Sequence, residues 1–272
     1  MIPAPRSEPL PLPAQLSVSG SSHIGRIRRR NEDSIALRPD LGIAIVADGM
    51  GGHPGGDVAS RIATDTAAEL LSDALQQNST GGIFSARMLP VVENLVRTAH
   101  ERIRARGAAE PELDGMGTTL TAMVVDPDTA SWVIGHVGDS RAYLVRDGRL
   151  EQLTRDDTWV QQQIDLGTML PTAAQKSPYA HLLTQCLGLE EPPEPQVMSG
   201  LGSPGDIYLL CTDGLVGMLD DEAMSALLAE HAVGDASPLD PGAGEAMIEA
   251  LLAAANEAGG HDNITAALVR IG

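Results

Sequence analysis

Four aspartates in this 272-residue chain share a setting that suits chemistry. Asp48 closes the apolar run "AIVADG", Asp139 the run "IGHVGDS" and Asp213 the run "LLCTDG", each beside a glycine, while Asp262 stands at the mouth of "HDNITAALVRI". A carboxylate at a strand end points out of the sheet edge, and the adjoining glycine lets backbone approach a bound ion. One Asp-Gly pair alone is commonly no more than a turn. Four acids at strand mouths, with the acids of "RNED" upstream, would repel one another unless cations hold them. Hard oxygen donors, without cysteine and with histidine scarce, select Mg²⁺ or Mn²⁺ rather than zinc.

The elements that must carry these acids follow from the period of the apolar residues. "SVSGSSHIGRIRRRNEDSIAL" reads as two short strands around a polar loop, and "LGIAIVADG" as a buried strand ending in Asp48. From residue 56 to about 75 the apolar positions recur at three and four, the stripe of an amphipathic helix, and a second such helix is expected over 89–106. "TTLTAMVVD", "TASWVIGHVGD", "RAYLVRDG" and "RLEQL" read as strands, and Asp126-Pro127-Asp128 and Asp147-Gly148 as the turns of antiparallel hairpins. Residues 154–190 are irregular with short helical pieces and form a candidate flap. Strand "DIYLLCTDG", helices over 220–231 and 244–257, and the closing strand complete the chain. Hairpins with paired helices imply an α+β sandwich, sheets inside and helices outside, rather than a parallel βαβ fold.

Composition excludes several alternatives. A formal net charge of -19 repels phosphate backbones and anionic lipid, so nucleic acid and membrane surfaces are not expected partners. Phe84, Trp132, Trp159, Tyr143, Tyr179 and Tyr208 are all the aromatics there are, which also leaves base stacking poorly supplied and a core of aliphatic residues and Met. Cys186 and Cys211 lie in apolar stretches without ligand spacing and read as buried thiols in a reducing compartment. "MIPAPRSEPLPLPAQ" has neither the basic start nor the apolar core of a signal peptide, and its prolines forbid a regular helix. Residues 1–16 are expected to be a disordered extension, with one domain over 17–272 and a flap at about 154–188. No stretch approaches the roughly 20 apolar residues of a membrane span, and a cytoplasmic location is expected.

Taken in order, Arg28-x-x-Asn31-Glu32-Asp33, "VADGMGGH" followed by "GGDVAS", "GMGTTL", "VGDSRAY", "LTRDDT", "CTDGL" and "HDNIT" resemble the PPM family of metal-dependent Ser/Thr protein phosphatases, the type 2C phosphatases, in its bacterial form. The likeness runs from about residue 18 to 271. It implies the four-layer αββα form of the sandwich, with two central antiparallel sheets flanked by helix pairs. It implies that Asp48 bridges two Mn²⁺ or Mg²⁺ ions with the Gly49 carbonyl on one of them, and that Asp213 and Asp262 complete the first ion's site. Glu32 would support the second ion with Asp33 beside it, Asp139 would share a weaker third ion with Asp213, and Arg28 would grip the substrate phosphate. Two such ions about 3.5–4 Å apart acidify a shared water, so that metal-bound hydroxide attacks phosphorus in line without a phosphoenzyme. Neither cysteine sits in a Cys-x5-Arg loop, which excludes the cysteine-dependent route.

Several residues carry two readings. The arginines at 26, 28, 29 and 30 are too few, on so acidic a chain, for a nucleic-acid patch, and phosphate capture by Arg28 is preferred. Asn263 either caps the strand entry or orients metal-bound water. His136 reads as a packed histidine and Arg141 as a brace for Asp139. Many eukaryotic relatives place a histidine after the first Asp-Gly; here Met50 stands there, and His53 is the nearby auxiliary candidate. Asp157 takes the place of a histidine in the flap pattern, and Ala180-His181 that of an Arg-Asn pair. The expected activity is dephosphorylation of phosphoserine and phosphothreonine proteins, with a bacterial Ser/Thr kinase and its substrates as partners of a monomeric enzyme. A regulatory pseudophosphatase and a two-metal nuclease are the alternatives.

Overall fold

Runs such as 43–47 and 207–211 are apolar at every position, the pattern of strands covered on both faces. The computed structural model describes residues 15–50, 55–77, 83–174, 176–232 and 241–272. The proposed extension therefore lies, except for its last two residues, outside the described residues, as does His53.

The chain enters through β1 (Leu16–His23), crosses the arginine-rich loop to β2 (Asp33–Arg38) and continues into β3 (Ile43–Asp48). Helices α1 (Gly56–Gln77) and α2 (Phe84–Ala109) follow, then β4 (Leu120–Val125), β5 (Ser131–Val137), β6 (Arg141–Arg146) and β7 (Arg149–Gln152). A long connection bearing α3 (Trp159–Asp165) and α4 (Pro171–Ala174) leads to β8 (Gln196–Leu201) and β9 (Ile207–Cys211). The last elements are α5 (Asp213–Val216), α6 (Asp221–Ala232), α7 (Pro241–Glu257) and β10 (Ile264–Ile271).

Two five-stranded antiparallel sheets result, in the orders β1-β10-β9-β6-β7 and β2-β3-β4-β5-β8. Because strand side chains alternate, each central strand feeds two interfaces. Ile43, Ile45 and Ala47 face α1 and α2, while Ala44 and Val46 face the other sheet. Likewise Leu209 and Leu268 pack under α6 and α7, while Leu210 and Val269 fill the space between the sheets. The three apolar clusters are thus the three interfaces of an αββα sandwich, and each fully buried Leu, Ile or Val in them contributes about 1.5–3 kcal/mol. Trp132 and Tyr208 meet edge to face between the sheets, their ring centroids 5.6 Å apart. No helix among the described residues is long and apolar enough to cross a membrane.

Both expected hairpins form, β4–β5 and β6–β7. The β6–β7 turn has Asp147 and Gly148 at positive φ, the conformation that Asp-Gly supplies. Between β5 and β6, however, the chain leaves one sheet for the other at residues 138–140. Gly138 has φ 108°, which an L-residue rarely adopts, and this crossing is what carries Asp139 to the sheet ends. Two helices begin earlier than expected, and two elements were not expected at all. α2 begins at Phe84 rather than 89, because Phe84 and Met88 extend its buried face through Pro90. α7 begins at Pro241 rather than 244, consistent with proline's fit at the first helical turn. β8 and α5 were not anticipated: β8 is a half-exposed edge strand without a clean alternation, and α5 is a single turn.

Candidate metal centre

Asp48 is the last residue of β3 and Asp33 the first of β2, and the two stand directly opposite in register. At the end of the other sheet, Asp213 lies two residues after β9 and Asp262 two residues before β10, the neighbouring strand. The Gly138 crossing adds Asp139. The sandwich therefore gathers at one end the acids that sequence spacing had singled out.

A layer of buried hydroxyls holds them. The Asp48 N–H donates to Thr119 Oγ1 (2.9 Å), its carbonyl accepts from Thr118 Oγ1 (2.8 Å) and the Thr119 N–H (2.9 Å), and Thr119 Oγ1 meets Ser140 Oγ at 2.7 Å. Asp33 Oδ2 accepts from Thr212 Oγ1 (2.9 Å) and Thr265 Oγ1 (2.6 Å). Its other oxygen, Oδ1, is buried with no partner among the described residues. Gly49 donates its N–H to the Glu32 carbonyl at 3.2 Å, and the Glu32 carboxyl lies against Gly56 at the start of α1.

Asn263 resolves as a clamp. Its Oδ1 accepts from the Glu32 N–H (2.8 Å), and its Nδ2 donates to the carbonyls of Ile24 and Arg30 (2.9 Å each). The amide binds the loop that carries Arg28 and Glu32 to the mouth of β10. Of the four arginines in that loop, Arg28 alone forms an ion pair with one of these acids among the described residues, Nη2 lying 2.6 Å from Asp262 Oδ2 at the rim.

The electrostatics are those of crowded acids. Burial drives Asp48 well above the ordinary carboxylate range, and the charges of Asp33, Asp213 and Asp139 add to it. Burial likewise raises Asp33 to about 7, against the hydroxyl hydrogen bonds of Thr265 and Thr212, and raises Asp139 to about 8, helped by Asp213. Glu32 is shifted upward by burial, with Arg28 opposing. Asp213 goes the other way: burial would raise it, but hydrogen bonds from His181 and from Asp48 prevail. The hydrogen bond between Asp48 and Asp213 thus raises the one and lowers the other. Proton and cation are alternatives here, because each relieves the same repulsion. An unpartnered buried oxygen on Asp33, an almost wholly carboxylate donor set and carboxylates that burial forces to take up protons all fit hard divalent ions.

Two expectations need correction. Arg141 does not brace Asp139: its Nε and Nη2 bind the Asp156 carboxylate (2.9 and 2.7 Å) and its Nη1 donates to Tyr143 Oη (2.9 Å), because Asp156 comes back across β6 from the start of the flap. His181, read only as a departure in the flap, reaches the site. Its Nδ1 lies 3.4 Å from Asp213 Oδ2, and donor atoms of Asp139, His181 and Asp213 all fall within 4.8 Å of one another. The replaced Arg-Asn pair was the available signal. His136 is a packed residue, buried and joined to Thr121 Oγ1 at 2.9 Å, with burial lowering its pKa. Met50 turns its sulfur to Cys186 Sγ at 3.7 Å.

Comparison with known proteins adds independent findings. The family model described as protein phosphatase 2C matches residues 19–252. The serine/threonine protein phosphatase PstP of Mycobacterium tuberculosis is 36% identical over 250 residues, covering 92% of this chain; the chain spans only 44% of that relative's length. The serine/threonine phosphatase stp of Listeria monocytogenes is 33% identical over 250 residues, covering 90% of this chain and 92% of that protein. A crystal structure of the catalytic domain of PstP in complex with two manganese ions superposes with a TM-score of 0.77 at 34% identity, covering 94% of this chain and 98% of that one.

Proposed function

The chain belongs to the protein phosphatase 2C family, and we propose that it is a Mn²⁺-dependent protein serine/threonine phosphatase, a phosphoric monoester hydrolase. One observation carries the reading: five carboxylates from both sheets, Asp33, Asp48, Asp139, Asp213 and Asp262, meet at one end of the sandwich, with the Arg28 guanidinium at their rim. Asp48 would hold both central ions, with the Gly49 carbonyl on one of them, Asp213 and Asp262 the first, Glu32 and Asp33 the second. Asp139 with Asp213 would hold a weaker third, and Mg²⁺ would serve in place of Mn²⁺. Bound there, the ions supply an acidified water and positive charge for the phosphoryl oxygens.

The chain's own groups do the remainder. Arg28, on the open side of Asp262, presents a fork of donors to phosphoryl oxygens, where a charge-assisted pair binds more tightly than a neutral one. The Asn263 clamp keeps Arg28 and Glu32 in register with Asp262. Met50 offers no proton to the leaving alkoxide. The pseudophosphatase alternative finds no support, since Arg28, Asp48, Asp139, Asp213 and Asp262 stand together. Residues 17–272 would form the catalytic domain, active as a monomer in the cytoplasm on the products of a bacterial Ser/Thr kinase.

The test is hydrolysis of a phosphothreonine peptide and of p-nitrophenyl phosphate with Mn²⁺ and with EDTA, beside Asp48→Asn. Metal-dependent turnover that the variant nearly abolishes is the expected result. Full activity in chelated protein would sink the proposal.

A further inference from the structure

We infer that His181 is a nitrogen ligand of the ion held by Asp139 and Asp213, so that the flap itself closes the third metal site. The inference rests on the reading of the acid cluster as a metal centre. It goes beyond that reading because an ion between Asp139 and Asp213 alone would have only carboxylate oxygens from the protein. Here three donors arrive from three separate elements, the β5–β6 crossing, the first turn after β9, and the β7–β8 connection, with donor atoms all within 4.8 Å.

The second observation is the state of Asp139. Its side chain is almost fully buried, and its carboxylate lies within 4.8 Å of both the His181 ring nitrogen and an Asp213 oxygen. A buried carboxylate facing a second one is costly unless a cation meets the pair.

The third is that the backbone around His181 is fixed rather than adrift. The Trp159 N–H donates to the Leu182 carbonyl (2.8 Å) and the Thr184 N–H to the Asp157 carbonyl (2.7 Å). Asp157 is itself tied to the Asp139 crossing, its N–H donating to the Gly138 carbonyl (2.7 Å) and its Oδ2 accepting from the Gly138 N–H (3.0 Å). Leu187 pairs with Thr118, beside the Asp48 strand. Trp159 and Tyr179 stack edge to face at 5.4 Å. The flap segment that bears His181 is thus bolted to the strands that bear Asp139 and Asp48, while the imidazole, 75% exposed, keeps freedom to turn toward an ion.

Imidazole binds first-row transition ions more readily than it binds Mg²⁺, whose preference is for oxygen and water. The third site should therefore prefer Mn²⁺ to Mg²⁺ more strongly than the oxygen-lined central sites do. Occupancy would also hold the His181 imidazole toward Asp213, coupling the flap to the ion.

Pulsed EPR of the full chain, with histidine-specific nitrogen isotope labelling and Mn²⁺ added stepwise, reads the bond directly. A nitrogen hyperfine coupling should appear as the weakest site fills, vanish in His181→Ala and persist in His53→Ala. Calorimetry on the same proteins should show the weakest Mn²⁺ step lose at least about tenfold in affinity in His181→Ala, with the two tighter steps retained. No nitrogen coupling at saturation, a coupling that survives His181→Ala, or no third ion bound would each overturn the assignment. Two tight ions and Mn²⁺-dependent hydrolysis by the wild type test the underlying phosphatase reading separately, since neither requires a nitrogen ligand.

Discussion

Asn263→Ala isolates the clamp at the mouth of β10. The side chain is 4% exposed and makes three hydrogen bonds, all to backbone: one from the Glu32 N–H and two to the carbonyls of Ile24 and Arg30. Ile24 and Arg30 are exposed, so their carbonyls recover water when the amide is removed. Each of those losses is then about 1 kcal/mol or less. Glu32 is half-buried, and its stranded N–H costs about 1–3 kcal/mol. The expected destabilisation is about 2–4 kcal/mol, which for a chain of this size lowers Tm by roughly 5–15 °C. Asn263→Asp keeps the acceptor for Glu32 but sets a carboxylate against two carbonyls, and should be no more stable than the alanine variant. The assay is urea unfolding of metal-free protein, read as a lower midpoint at unchanged slope. A residue that orients water on an ion would behave differently: its loss would leave metal-free stability untouched and show only with Mn²⁺. That second pattern refutes the clamp.

Arg28→Ala should lower kcat/KM by about 1.5–3 kcal/mol, roughly 10- to 150-fold, with calorimetric metal affinity little changed; collapse of metal binding would move Arg28 out of its substrate role. Metal-free protein should lose stability as pH rises from about 4 to 8, because Asp33 (about 7) and Asp139 (about 8) sit above the ordinary carboxylate value and the folded state binds the extra protons. Mn²⁺ should raise Tm more at pH 8 than at pH 5, and Asp33→Asn should flatten the metal-free slope; a metal-free Tm that climbs across this window would contradict the burial argument. Gly214→Ala places a Cβ inside the van der Waals radius of the Asn263 carbonyl, where backbone must give way, and should cost about 1–3 kcal/mol in denaturant unfolding; wild-type stability would show that the β9–β10 mouth is looser than described.

The strands were legible where the chemistry of a residue decides its conformation alone. Continuous apolar runs ending in Asp-Gly announced β3 and β9, and Asp147-Gly148 announced the β6–β7 turn. What the sequence withheld depends on contacts between distant segments. Nothing local marks "QVMSGL" as β8, which exists because β5 offers it an edge. Arg141 was paired with the nearest acid in sequence, whereas the fold returns Asp156 across β6 and gives it the guanidinium instead. Asn263 could not be assigned because its three partners lie more than two hundred residues upstream. His181 was visible as a substitution but not as a neighbour of Asp213, since only the path of the β7–β8 connection brings it there.

The choice of neighbours explains how so acidic a cluster retains its use. Thr118, Thr119 and Ser140 fix the Asp48 backbone from below, Thr212 and Thr265 donate to the Asp33 carboxylate, and a hydroxyl can orient a carboxylate oxygen without neutralising it. A lysine or arginine in place of Thr212 or Thr265 would also donate to Asp33 but would cancel its charge, leaving less reason for a divalent ion to bind. Arg28 is placed at the exposed rim, on Asp262, where solvent screens it and a phosphate can compete for it. The repulsion stored among Asp33, Asp48 and Asp139 destabilises the metal-free fold, and that same repulsion is relieved when cations bind. Affinity for the ions and instability without them are two readings of one electrostatic term, so a variant that makes the metal-free protein markedly more stable at pH 8 by neutralising an acid should bind its ions correspondingly less tightly.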